Sequence, residues 1–434
     1  MAGKAGTLPA IVLALLLAPA FPAVPAFPAA QIAFDQAMAD LSSPDAATRL
    51  LTVQLLKEAG YAEAAEPLAK LVTDPNDSIQ LEAIAAELNI FLAEKIVPRR
   101  RVGLLVEKRE AIAADAVFNS GPLAIGPRPV PLVVLDALRA AARDDNPRVR
   151  LEAVYAFGVL AVEPRGTRRG ELIRASARDL AAMVNAVDPY HRYAALRVIS
   201  RVFWRRAGDM PADEYVGDIV INALNEKEKA MQEAAMQALS AMKYDRAVQG
   251  LTDLFQHYGK GDMAEAALNA VAHIGHPSSV PLFLSLLGSK NDVIKGIAVE
   301  GLARAGDQTK RVQIQTAVAS ARNGRLQIAG NFATVMLSGP STPEGLDPIV
   351  EALAGTRLHD QAFWYLVEAA PGRASAFARF LKDPDPMVRA DLVNALGLGD
   401  DVAALAVVEP LASDPDLEVA RAVERAVARL RQPR

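Results

Sequence analysis

The five histidines are the first residues to weigh as catalytic or metal-binding groups, because the chain contains no cysteine. They are His191, His257, His273, His276 and His359. None is followed by glutamate, so no repeated His-Glu metal pair is present, and a ring that bonds a turn carbonyl explains His273 and His276 beside Gly275. The sequence therefore predicts no metal and no cofactor. The absence of cysteine also excludes disulfides and thiol nucleophiles.

Motifs for covalent or phosphoryl chemistry are also missing. Serines and aspartates are scattered along the chain and leave a hydrolytic triad open, but there is no Gly-x-Ser-x-Gly elbow and no glycine-rich phosphate loop. Non-catalytic binding is thus the better-supported class of function.

Arginines between residues 96 and 206 form the strongest candidate site. This segment holds 20 Lys and Arg against 11 Asp and Glu, whereas the whole chain has a formal charge of −4. Three groups stand out, and they are Arg99, Arg100 and Arg101, then Arg165, Arg168 and Arg169, then Arg205 and Arg206. Guanidinium groups bind carboxylate and phosphate in bidentate fashion, although arginines in polar loops can also be merely solvated.

The elements that position these arginines belong to an internal repeat. The stretch DNPRVRLEAVYAFG at 145–158 returns as DVIKGIAVEGLARAG at 292–306 and as DPMVRADLVNALG at 385–397. The spacing is about 31 residues, enough for two helices of three to four turns and two short turns. Composition agrees, since 51% of residues are hydrophobic but only 5% aromatic. We expect an all-α, right-handed α-solenoid of about ten helix pairs, in which Leu302 and Leu396 are buried at equivalent positions.

Local signals place the helix ends. Asp-Pro and Asn-Pro pairs predict an N-cap followed by a first-turn proline, and glycines after the apolar run predict left-handed helix ends. The capping pairs begin at Asp74, Asn146, Asp188, Asp383 and Asp414, and the glycines are Gly60, Gly158, Gly275, Gly306 and Gly397.

These residues resemble the HEAT repeat, in the short HEAT-like form seen in proteins of the phycobilin-lyase type. The resemblance is carried by Val149-Arg150, Val388-Arg389 and the second-helix start Val280-Pro281-Leu282, and it extends from about residue 42 to 430. It implies a fold but little about function, since HEAT-like solenoids serve as scaffolds, lyases, hydroxylases and base-excision enzymes. For a base-excision enzyme Trp204 and Trp364 would matter, but they lie about five repeats apart and Trp364 is predicted to fill the core.

Departures from the period predict where a binding surface lies. An insertion at about 96–130 and shorter ones around Arg165 and Arg205 fall in the same loop of three consecutive repeats, so they should become neighbours in space. We expect a continuous basic ridge built from the three arginine groups, with Tyr190, Tyr193 and Trp204 as stacking surfaces. A capping helix at 416–431 should close the array, with its charged residues, including Arg425 and Arg429, facing water.

The N-terminus resembles a secretory signal. Lys4 precedes an apolar run from Leu8 to Ala18, which is too short to span a bilayer, and small residues and prolines follow. We expect residues 1–30 to be a signal peptide, cleaved or retained as an anchor, and residues 31–434 to form the solenoid. The protein would then be exported, periplasmic or extracellular, with no transmembrane span after signal removal.

The sequence as a whole favours a non-catalytic binding or assembly scaffold in the cell envelope. Its expected partner is another protein, with an anionic envelope polymer or a lipid headgroup as an alternative, and no nucleic acid is expected after export. An enzyme of lyase or hydrolase type on a HEAT-like scaffold remains the runner-up.

Overall fold

The fold is an array of helix pairs. The computed structural model describes residues 34–93, 113–126, 128–161, 167–204 and 210–431, with the backbone but not the side chains of 167–169. Within these ranges all regular structure is helical apart from one antiparallel bridge between Leu92 and Ile125. None of the helices described is long and apolar enough to cross a membrane.

The described residues form ten pairs of a first and a second helix, preceded by α1 (Phe34–Asp40). The first five pairs are α2 (Ala46–Ala59) with α3 (Ala65–Ala69), α4 (Asp77–Phe91) with α6 (Leu132–Ala141), α7 (Pro147–Leu160) with α8 (Thr167–Val184), α9 (Pro189–Phe203) with α10 (Glu214–Asn222), and α11 (Lys229–Ala241) with α12 (Val248–Tyr258). An additional helix, α5 (Ala114–Asn119), is inserted between α4 and α6.

The second half of the array continues in the same order and ends on a lone helix. Its members are α13 (Asp262–Ile274) with α14 (Val280–Leu286), α15 (Asp292–Ala305) with α16 (Arg311–Val318), α17 (Gly324–Leu337) with α18 (Leu346–Glu351), α19 (His359–Ala369) with α20 (Ala374–Phe377), α21 (Pro386–Gly399) with α22 (Leu405–Val408), and α23 (Leu417–Leu430). Each first helix packs against the next first helix, so these helices form one continuous layer and the second helices form the other. The predicted all-α solenoid of about ten helix pairs is confirmed.

N-caps begin the first helices, although not always at the predicted residue. Asn146 and Asp188 cap α7 and α9 as expected, each accepting a bond from a backbone N–H two residues on. At the other three Asp-Pro pairs the cap is the residue after the proline, namely Asn76, Asp385 and Asp416. In these repeats the proline ends the preceding loop, and the aspartate before it is left to accept other hydrogen bonds, as Asp74 does from the N–H of Asn76.

Three of the five glycines end helices as predicted. Gly60, Gly275 and Gly306 have left-handed φ of 65°, 66° and 73° at the C-termini of their helices. The prediction was wrong for Gly158 and Gly397, which lie inside α7 and α21. Close packing is the reason, because a Cβ on Gly158 would lie 2.9 Å from the side chains of Phe118 and Val198, and one on Gly397 would lie 2.8 Å from Ala426.

The core is aliphatic and continuous along the array. Leu302 and Leu396, predicted to share one register position, are both fully buried. The equivalent position holds Phe157 in α7 but a carboxylic acid, Glu87, in α4. Glu87 is fully buried, and in the described part of the chain neither of its carboxyl oxygens has a hydrogen-bond partner. Burial without a partner raises the pKa of Glu87 well above its ordinary value.

Candidate anion-binding site on the concave face

Two contacts across the first-helix layer show which face is concave. The ring of Trp204, just after α9, meets the ring of Trp364 on α19 edge-on, with centroids 5.5 Å apart. Farther along, Arg429 on α23 donates a hydrogen bond of 3.4 Å to the carbonyl oxygen of Pro122 in the insertion. Because four first helices separate α9 from α19, side chains on this face meet only if the layer curves toward it.

Arg201 on α9 occupies an unusual position on this face. Its Nε and Nη2 atoms are buried and have no hydrogen-bond partner among the described residues. Its guanidinium lies over the ring of Phe118, 5.5 Å from the centroid, and Arg197 covers the same ring at 4.9 Å. Burial, together with the charges of Arg429 and Arg197, lowers the pKa of Arg201 to about 10. Arg201 therefore remains a cation at neutral pH in a place that penalises a cation.

Neighbouring arginines extend this group. Arg197 donates to the side-chain oxygen of Asn119 at 2.8 Å, a neutral partner that leaves its charge uncompensated. Arg425 lies one turn before Arg429 on α23, and its Nε is buried without a partner. We call Arg197, Arg201, Arg425 and Arg429 the arginine cluster. In the described part of the chain no carboxylate forms an ion pair with Arg197, Arg201 or Arg425, so these three arginines have the composition of an anion-binding site.

A second arginine on this face, Arg304 on α15, has the opposite surroundings. It donates to both carboxylate oxygens of Glu368 on α19, at 2.8 and 3.0 Å, and to Glu300 on its own helix at 3.0 Å. The hydroxyl of Tyr365 donates to Glu300 at 2.6 Å, and the Tyr365 ring stacks on Phe332. This Arg304 network joins α15 to α19 over the intervening α17.

The pKa values of the Arg304 network reflect that compensation. Burial acts to lower the pKa of Arg304, but the carboxylates of Glu368 and Glu300 outweigh it and raise the pKa. Burial, then the charge of Glu300, raises the pKa of Tyr365 well above its ordinary value. The charge of Arg304 lowers the pKa of His273 below its ordinary value. The charge of Arg304 is thus compensated by two carboxylates of the protein.

The predicted basic ridge falls largely outside the described residues. Arg99, Arg100, Arg101, Arg165, Arg205 and Arg206 lie there, and Arg168 and Arg169 are described only as backbone at the start of α8. Of the aromatic residues assigned to the ridge, Tyr190 is 74% exposed at the start of α9. Tyr193 is half-buried beneath Arg197, and Trp204 is half-buried against Trp364. The ridge itself stays a prediction.

Two interpretations of single residues were wrong. Trp364 does not fill the core, since 39% of it is exposed and it meets Trp204 although the two lie far apart in sequence. Arg425 and Arg429 do not face water, because the curvature brings α23 against the insertion. The sequence offered one signal for the cluster, the i, i+4 spacing of Arg197 with Arg201 and of Arg425 with Arg429, but nothing to bring the two helices together.

Across the described ranges no group of three or more His, Asp or Glu side chains is placed to hold a metal ion.

Comparison with known proteins adds similarity of structure only. No family model matches the chain, and neither does any curated protein. Among solved structures, an engineered protein shares 18% identity at a TM-score of 0.40, covering 92% of this chain and 99% of its own. The designed armadillo repeat protein YIII(Dq)4CqI has 16% identity and a TM-score of 0.34, covering 62% and 98%. Human deoxyhypusine hydroxylase in complex with glycerol has 16% identity and a TM-score of 0.30, covering 61% and 99%. The chain is a helical-repeat protein, and its resemblance to the phycobilin-lyase type stays a prediction.

Proposed function

We propose that this protein is a non-catalytic binding scaffold whose concave face holds an acidic segment of a partner protein at the arginine cluster. The observation that carries the proposal is the buried Arg201 guanidinium, which has two unpartnered nitrogens and two other arginines beside it. A carboxylate from a partner would supply the missing acceptors in bidentate form. Leaving such a cation buried and unpaired is costly, so part of the binding free energy comes from removing that cost.

The charge arrangement supports a protein segment more than a single ion. Arg197 and Arg201 stand one turn apart on α9, and Arg425 and Arg429 one turn apart on α23, so the cluster presents cations from two helices. The Trp204 and Trp364 pair lies beside it at the end of α9 and offers an apolar surface. Acidic side chains alternating with an apolar one would match this pattern.

Export is part of the same proposal. The apolar run from Leu8 to Ala18 and the small residues after it support a secretory signal, which would place the scaffold in the cell envelope. N-terminal sequencing of the native protein should find a mature start between residues 19 and 31, and a start at Ala2 or Gly3 would contradict export.

Binding can be tested with a fluorescent glutamate-rich peptide. We expect the full chain to bind it, with an affinity that falls steeply between about 50 and 300 mM salt. Arg201→Gln should weaken binding at least about tenfold, a loss of about 1.4 kcal/mol. The matched control is Arg178→Gln, which removes the same charge from an exposed ion pair with Asp213 on the second-helix layer.

Three outcomes would count against the proposal. Equal losses for Arg201→Gln and Arg178→Gln would show that only net charge matters. If inorganic phosphate or a polyphosphate bound the cluster and the peptide did not, the ligand would be an anionic polymer and not an acidic protein segment. If instead the triple change Arg165→Glu, Arg168→Glu, Arg169→Glu abolished peptide binding and Arg201→Gln did not, the binding surface would be the predicted ridge.

A further inference from the structure

A repeated ion pair ties successive first helices together. The arginine four residues after the N-cap of a first helix donates Nε and Nη2 to the carboxylate two residues before the next N-cap. Arg49 does so to Asp74 at 2.8 and 3.1 Å, and Arg389 to Asp414 at 2.9 and 2.8 Å. Arg192 pairs with Glu226 at the same two positions. In Arg49 and Arg389 the remaining nitrogen, Nη1, holds two carbonyl oxygens of the loop before the helix.

Arg150 on α7 holds the same position but has lost its carboxylate. Its Nη1 donates to the carbonyl oxygens of Asp144 and Asp145, at 2.6 and 3.0 Å, as in the other repeats. The next N-cap is Asp188, and the residue two positions before it is Ala186, which has no carboxylate. Among the described residues Nε and Nη2 of Arg150 have no hydrogen-bond partner, so its bidentate edge is unoccupied by protein.

A pocket of about 510 Å³ opens at this place in the array, and Arg150 and Ala186 both line it. The volume lies within the range of about 300 to 1,000 Å³ that is usual for small-molecule sites. Its walls are mainly apolar and come from α7 and α8, including Val154, Phe157, Leu180 and Met183. The pocket therefore combines an apolar cavity with one guanidinium edge.

The charges around the pocket leave a cation in excess. Three arginines and two aspartates line it. Arg139 and Arg143 both donate to Asp179, at 2.6 and 2.5 Å, which occupies that carboxylate. The carboxylate of Asp188 accepts from the N–H of Tyr190 and from the ring of His191. Burial acts to raise the pKa of Asp188, but these hydrogen bonds and the charge of Arg150 outweigh it, so Arg150 lies near this carboxylate without a hydrogen bond to it.

We propose that this pocket binds an amphipathic monocarboxylate, a molecule with one carboxylate and an apolar chain. The carboxylate takes the position that Asp74 and Asp414 occupy in their repeats and accepts from Nε and Nη2 of Arg150. The chain lies against Phe157, Leu180 and Met183. The site is separate from the arginine cluster and does not depend on the proposed scaffold function.

Calorimetric titration of the full chain with decanoate and with decanol tests the proposal, since the two differ only at the head group. Decanoate should bind, and decanol should bind at least tenfold more weakly. Ala186→Asp restores the repeat's own carboxylate to Arg150, so it should weaken decanoate binding at least tenfold while the thermal midpoint stays equal or rises. Arg150→Gln should remove the preference for decanoate over decanol.

A control variant tests whether losing any repeat arginine has the same effect. Arg389→Gln removes the equivalent arginine where its aspartate is present, so it should not change decanoate affinity. The proposal is overturned if Ala186→Asp binds decanoate as the unaltered chain does, if decanol binds equally well, or if straight-chain acids of eight to sixteen carbons all fail to bind. Should Arg150→Gln not fold, the Ala186→Asp result decides alone.

Discussion

Arg304 and Arg201 lie in the same layer of first helices and on the same face, but one is compensated and the other is not. Arg304 has two carboxylates, a donating tyrosine beside them and an aromatic ring beneath it. Arg201 has a ring and two other arginines, with two nitrogens left without acceptors. Burial alone therefore does not separate a structural arginine from one that we propose to bind a ligand. The separating property is whether the protein itself supplies the anion.

The largest effect that tests this comparison is on stability. Arg304→Leu should lower the free energy of unfolding by about 3 to 5 kcal/mol, because it removes the buried cation that bridges the carboxylates of Glu300 and Glu368. Arg201→Leu should change it by less than about 1 kcal/mol or raise it, since an unpaired cation is replaced by an apolar side chain. Urea denaturation followed by circular dichroism measures both, and equal losses for the two variants would remove the distinction.

Glu87 extends the comparison to a buried acid with no partner. Below about pH 4.5, its ordinary pKa, the acid is protonated in both the folded and the unfolded state, and its burial then destabilises the folded state least. As pH rises from there through the raised pKa of the folded state, the folded protein loses stability relative to the unfolded chain. Glu87→Leu, which copies Leu302, should therefore stabilise the protein at pH 7 by about 1 to 3 kcal/mol, and by less at pH 4.5.

The measurement for Glu87 is the midpoint of denaturation at several pH values. Glu87→Gln serves as the control, because its neutral amide should also remove the pH dependence while filling the position less well. A stability difference between the original chain and Glu87→Leu that stays constant from pH 4.5 to 8 would show that the carboxyl has a partner or is already ionised.

The smallest effect concerns the closure between Trp204 and Trp364. A double-mutant cycle with Trp204→Leu and Trp364→Leu should give a coupling free energy of about 0.5 to 1.5 kcal/mol, as for other edge-on aromatic pairs. Pairing Trp204→Leu with Phe283→Leu, a buried change in the second-helix layer, should be additive. Additivity of the two tryptophan changes would mean that the concave face is more open in solution.

Sequence periodicity was sufficient to predict the array of helix pairs. The repeat near 31 residues, the Asp and Asn caps and the glycines at Gly60, Gly275 and Gly306 are local signals, and local backbone chemistry acts through residues a few positions apart. Gly158 and Gly397 are also glycines, but at these positions the missing Cβ allows the close approach of a neighbouring helix. Only the packed structure shows which of the two a glycine satisfies.

Sequence alone was enough to predict the helical pairs, their order and the buried register that Leu302 and Leu396 share. Only the folded chain shows that Trp204 meets Trp364, that Arg429 reaches Pro122, and that a pocket opens beside Arg150 and Ala186. The physical reason is the curvature of the array. Each repeat contacts its neighbours at a regular spacing, but small rotations between successive repeats add up along the array. Contacts between distant repeats depend on the sum of these rotations, which no short stretch of sequence encodes.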